Sequence, residues 1–268
     1  GLAALWVERA EFERIHGLDP RPSVASALEA VAAAEARGLR LPIPGWSEGD
    51  AHLIRGEFLL AIQGNGEEDL QKAIAAYRKA FQANPNLLEA LACVAEAMLD
   101  IATGRLERGL DPGLALAEAE ENLDRIGAAS PDQDQTSYRR GRLALLRGRW
   151  LLASGADPDS QWARAEAAFR KAVALADQAY AYVGLAEVRA RAFLRSGRSQ
   201  DRRQALAFAR EALRRDPLRA EAWLWIAAVE QEALRRGDGT AEPRAREAWA
   251  RALGLDANLG RWAKMLGR

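Results

Sequence analysis

Cysteine, histidine and lysine are nearly missing from this chain of 268 residues. A single cysteine, Cys93, excludes an internal disulfide and any zinc site built on cysteines. The two histidines, His16 and His52, are far apart, and neither belongs to a paired-histidine metal motif. Four lysines stand beside 34 arginines, a bias that suggests a GC-rich bacterial genome. Charge of one sign is not in excess. With 38 basic and 38 acidic side chains the net charge is zero, which argues against a nucleic-acid module, because phosphate binding needs a basic surplus. No window approaches the roughly 20 uncharged apolar residues of a membrane span. Alternating β-branched runs between turn residues are also absent, so strands are not expected. What is abundant is alanine, roughly one residue in five.

The alanines are ordered. Ala27, Ala73, Ala119, Ala165, Ala205 and Ala245 form a ladder spaced 46, 46, 46, 40 and 40. Seven residues on stand Ala34, Ala80, Ile126, Ala172, Ala212 and Ala252; four residues on stand Val31, Tyr77, Leu123, Phe169, Ala209 and Trp249. Spacings of four and seven place all three sets on one helical face, the middle residue filling the core while its small neighbours let helices approach. Three of these helices meet a proline (Pro85, Pro131, Pro217) twelve residues after the ladder alanine. A preceding helix in each unit carries a small residue in an apolar stripe: Ala3, Gly56, Ala95, Gly141, Ala186 and Ala227. The unit is a helix–turn–helix, repeated six times.

The copy Ala73-x3-Tyr77-x2-Ala80-x4-Pro85, and the copy with Trp223-x2-Ile226-Ala227 followed by Ala245-x3-Trp249-x2-Ala252, resemble the tetratricopeptide repeat. The resemblance covers nearly the whole chain and implies an all-α, right-handed α-solenoid of six TPR-like repeats. The expected units are about 1–38, 51–85, 86–131, 132–177, 178–217 and 218–257, in one solenoid with a C-terminal capping helix over 258–268. Periods of 46 and 40 exceed the family's 34. At three places the extra length contains Gly17-Leu-Asp19-Pro20, Gly109-Leu-Asp111-Pro112 and Gly155-Ala-Asp157-Pro158. Gly there reads as a helix stop, Asp as the N-cap and Pro as the first helical residue. The hairpins are therefore lengthened in both helices, with helix expected over 143–153 and 159–175. Trp150 and Trp162 are expected to pack across the upper part of one such turn.

Long hairpins closed by Gly-x-Asp-Pro are also similar to repeat regions appended to bacterial serine/threonine protein kinases. That implies a regulatory or scaffolding segment of a larger signalling protein, without a catalytic role, since the kinase signatures are missing. The first helix starts almost at residue 1, so the chain reads as a piece of a longer polypeptide, with a natural C-terminal end capped by Leu259–Leu266 through Trp262 and Met265. Trp6, Phe12 and Ile15 would then form an apolar face without an N-terminal neighbour. Between the first two units, the stretch from Gly38 to Asp50 reads as a linker, with Trp46 placed to plug the inner surface.

Chemistry-bearing motifs are few. His16, beside Gly17, suits a helix C-terminus, His52 has no second ligand nearby, and Cys93 reads as a small core residue. Gly64-Asn-Gly66 is a turn rather than a phosphate loop, and Asp132 and Asp134 have turn or capping duty. No catalytic, cofactor or metal residues are expected, and the chain is not expected to be an enzyme. In the family the first helices line a concave groove where partners lie. The resemblance therefore points to Glu57, Glu96, Tyr138, Arg142, Arg149 and Glu187 as groove residues, meeting a protein, a peptide or another domain of the same polypeptide. Arg142 and Arg149 suit a carboxylate or phosphate, unless the Arg139–Arg149 block pairs with Glu118, Glu120, Glu121 and Asp124. A ligand-sensing array in a multidomain kinase or ATPase is the alternative, with its pocket near Trp46. A cytoplasmic location is expected.

Overall fold

In a computed structural model of the chain, residues 1–38 and 45–260 are described. They contain twelve α-helices and, among the described residues, no strand. In chain order these are α1 (Leu2–Ile15), α2 (Arg21–Ala36), α3 (Trp46–Gln63), α4 (Glu67–Ala83), α5 (Leu88–Glu107), α6 (Gly113–Ala129), α7 (Asp134–Ala153), α8 (Asp159–Leu175), α9 (Ala179–Ser196), α10 (Ser199–Arg215), α11 (Ala220–Arg235) and α12 (Ala241–Leu255). Consecutive helices pack as hairpins from α1/α2 to α11/α12. The chain forms two compact units, Gly1–Pro131 and Asp132–Arg268.

The ladders are the core. All six first-ladder alanines are buried, as are Val31, Tyr77, Leu123, Phe169 and Ala209. Only Ala34 in the first hairpin and Trp249 in the last are half-buried. Small residues opposite them are required by distance. The Phe169 ring sits between Gly141 and Gly184, where an added Cβ would come within 2.5 and 2.6 Å of it. Trp162 is likewise buried against Gly148 at the turn end of α7/α8, while Trp150 is half-exposed.

The three Gly-x-Asp-Pro turns share one geometry. Gly17, Gly109 and Gly155 have φ of 69, 70 and 77°. The next N–H reaches back five residues, as in Leu18 to Glu13, Leu110 to Arg105 and Ala156 to Leu151, each at 2.8 Å. This is a Schellman stop, which needs a residue in the left-handed region. Gly237 closes α11 the same way, with Asp238 donating to the Ala233 carbonyl at 3.0 Å. The helix starts differ from expectation by one residue. Pro20, Pro112 and Pro158 are the N-caps, since their carbonyls accept the first intrahelical bonds, from Val24, Leu116 and Trp162. Asp19, Asp111 and Asp157 sit one position earlier and accept the N–H two residues on, at 3.0, 2.8 and 3.3 Å. An acid there still satisfies one of the helix's orphan donors.

Helix covers 143–153 and 159–175, as the lengthened hairpin requires. The added length is not shared equally between the two helices. Five of the six second helices begin six residues before their ladder alanine, whatever the turn. The first helices instead run from Ala3, Ala95 and Gly141 to Ile15, Glu107 and Ala153, but only from Gly56 to Gln63 in α3. Two further readings change. Trp46 opens α3 instead of lying in a linker, and its ring meets Tyr77 edge-on at 5.7 Å. Cys93 is half-exposed on α5 rather than a core residue. The expected capping helix with Trp262 and Met265, and the Leu39–Pro44 part of the linker, lie outside the described residues.

Candidate partner-binding faces

The first helices touch one another directly, α1 with α3 and α3 with α5 in one unit, α7 with α9 and α9 with α11 in the other. The six groove residues named from the sequence all lie on these first helices, and the two units gather them separately.

In the N-terminal unit Glu57 is half-buried on α3, and Arg14 of α1 approaches it at 3.2 Å while also pairing with Glu11 at 2.6 Å. Burial pushes the Glu57 carboxyl up to about 8, with Asp100, Glu11 and Glu96 adding to the shift and Arg14 opposing it. Glu57 and Glu96 therefore do belong to one electrostatic cluster, along with acids that the sequence reading passed over. Asp50 stands seven residues before Glu57 on the same face of α3. Burial raises its carboxyl, against a 2.7 Å hydrogen bond donated by the Tyr77 hydroxyl. Asp100 stands one turn after Glu96 on α5. The helical spacing within each pair was legible, but their convergence from three helices was not.

In the C-terminal unit Tyr138, Arg142 and Arg149 fall at spacings of four and seven on α7, all half-buried. The Tyr138 ring meets Tyr180 of α9 edge-on at 4.7 Å and tilts against Phe169 at 5.7 Å. The Tyr180 hydroxyl donates to Asp134 at 2.5 Å, so Asp134 has a tethering role from the first residue of α7. Glu187 pairs with Arg191 at 2.7 Å, and Arg191 lies over the Trp225 ring at 5.1 Å. Tyr180, seven residues before Glu187, was the missed member here.

The remaining candidates have structural roles. His16 caps α1, its Nδ1–H donating to the Phe12 carbonyl at 2.8 Å. His52 is buried beside Asp69 at 3.1 Å, and burial lowers its pKa. Glu118 of the acidic block pairs with Arg78 of α4. Among the described residues no three His, Cys, Asp or Glu side chains gather as a metal site, and no helix is long and apolar enough to cross a membrane.

No protein-family profile matches the chain, and no curated protein matches its sequence. Solved structures do resemble it. The thermophilic TPR protein TTC0263 of Thermus thermophilus is 18% identical with a TM-score of 0.53, the match covering 78% of this chain and 97% of that one. Human IFIT1, solved as a dimer with m7Gppp-AAAA, is 16% identical with a TM-score of 0.53, over 97% of this chain and 59% of IFIT1. The fold is that of tetratricopeptide repeat proteins.

Proposed function

We propose that the chain is a non-catalytic docking scaffold that holds a protein or peptide segment along its first helices. One observation carries this reading. The first helices adjoin one another, and on α1 and α3 they leave an open cleft in which Phe12 and Ile15 are each 55% exposed. Preformed helical surfaces lower the ordering cost of binding. Glu57 and Glu96 serve one docking face, and Tyr138, Arg142, Arg149 and Glu187 a second. The Gly-x-Asp-Pro hairpins and the arginine bias support a place in a larger bacterial signalling protein, in the cytoplasm. The m7Gppp-AAAA of the IFIT1 structure is not carried over, because balanced charge and the acids Glu57, Glu96 and Glu187 on the first helices argue against a nucleic-acid groove.

An array of peptides of varied charge tests the reading. Peptides that bind the native chain should lose binding to Glu57→Lys/Glu96→Lys or to Arg142→Glu/Arg149→Glu, with helicity unchanged. Retention of every peptide by both double variants would refute it.

A further inference from the structure

The cleft between α1 and α3 has a volume of about 520 Å³. Its apolar walls come from Val7, Phe12 and Ile15 on α1 and from Leu53 and Ile54 on α3. Its titratable groups are lopsided in a chain that is neutral overall: four acids, Glu8, Glu11, Asp50 and Glu57, the last held up to about 8 and ionised more fully once a cation stands beside it, line it against one cation, Arg14. That cation is already engaged, at 2.6 Å from Glu11 and 3.2 Å from Glu57. Such a surface rejects acidic segments and gains by bringing a cation beside its carboxylates while aliphatic groups cover Phe12 and Ile15.

We propose that this cleft docks a peptide segment presenting a cationic side chain flanked by aliphatic residues. The proposal rests on the docking reading above and gives the N-terminal face its partner chemistry. The aliphatic groups lie across Phe12, Ile15 and Leu53. The ammonium or guanidinium group sits between Glu11 of α1 and Asp50 of α3, where it offsets the repulsion among the carboxylates. A second cleft in the same unit, lined from α4, α5 and α6, offers no such preference. There Phe81 and Leu114 lie among Arg78, Arg125, Glu118 and Glu121, two charges of each sign.

The test uses three labelled 12-residue model peptides of leucine and alanine that carry two lysines, two glutamates or two glutamines at the same positions, read by fluorescence anisotropy on the full chain. The lysine peptide should bind about tenfold tighter than the other two and lose that advantage in high salt. Glu11→Gln/Asp50→Asn should remove the preference, and Phe12→Ser should weaken all three peptides, with circular dichroism confirming the fold. Equal affinity for the three peptides, or a lysine preference untouched by Glu11→Gln/Asp50→Asn, overturns the proposal. So does sedimentation showing that the chain self-associates through this face and that Phe12→Ser abolishes it, since a second copy is then the occupant. If the glutamate peptide alone binds and Arg142→Glu/Arg149→Glu abolishes it, this proposal fails while the scaffold reading stands. If no peptide binds at all, both fail.

Discussion

The hairpins α3/α4 and α9/α10 close at their turn ends in one way, and α5/α6 and α7/α8 in another. In the first pair the helix stops on a lone left-handed glycine, Gly64 or Gly197, and the second helix resumes almost at once. Four residues before the ladder alanine these hairpins bury an aspartate, Asp69 or Asp201. An arginine from the facing first helix meets it: Arg55 reaches Asp69 with Nε at 2.9 Å, and Arg189 reaches Asp201 at 3.1 Å and Glu166 as well. Burial alone would raise the Asp69 carboxyl, but the Arg55 and His52 hydrogen bonds outweigh it and hold it below its ordinary range. In the long pair the aspartate stands outside the helix, on Asp111 or Asp157, and Ala115 or Gln161 takes the inner place. Length and charge placement are therefore linked. In these four hairpins the short first helix goes with a buried aspartate met by an arginine, and the long one with an aspartate set outside the second helix.

Breaking that ion pair should have the largest effect. Asp69→Ala leaves the Arg55 guanidinium half-buried and unmatched, and should cost about 2–3 kcal/mol in urea unfolding. Exchanging both partners for leucine and methionine should recover most of it. Next comes the left-handed stop. Gly155→Ala meets no atom within 4 Å, so its cost is backbone strain alone, about 1–2 kcal/mol. Asp157→Ala, which removes the acceptor of the exposed Asp159 N–H and an exposed ion pair with Arg195, should cost about 0.5–1 kcal/mol by the same measurement.

A pH series separates two carboxyls within α3/α4. Asp69, held low, contributes stability that is present above its unfolded value of 3.8 and lost as pH falls through its folded value. Glu57, held up to about 8, contributes stability that is full below 4.5 and lost as pH rises from 4.5 to about 8. Glu57→Gln should flatten the stability profile in that upper window and leave the acid limb in place.

The ladders were readable because helix crossings admit little but small residues, so distance itself wrote the repeat into the sequence. The Schellman turns were readable from Gly-x-Asp-Pro for a local reason: one glycine and one carboxylate satisfy the ends of two helices. The same geometry at Gly237 was not, since Gly237-Asp-Gly239 lacks the proline. The start of α3 was hidden by two prolines and two glycines in its approach and by Gly49 in its first turn, although Trp46 already packs on Tyr77. The acidic cluster around Glu57 draws Glu11 from α1 and Glu96 and Asp100 from α5, and no local pattern joins them.

The far ends of the hairpins, where one leads into the next, do not vary in this way. Helices α4, α6, α8, α10 and α12 all stop ten residues after their ladder alanine, at Ala83, Ala129, Leu175, Arg215 and Leu255. Only three of them meet Pro85, Pro131 or Pro217, yet all five end on a residue with φ between −139° and −149°, from Asp216 to Ala176. The stop therefore does not require proline, which reinforces it at three of the five ends. Turn ends of different length thus coexist with a constant ten-residue run from ladder alanine to helix stop. For protein engineering this makes the turn end the natural place to graft a new recognition segment, and the opposite end the place to leave untouched.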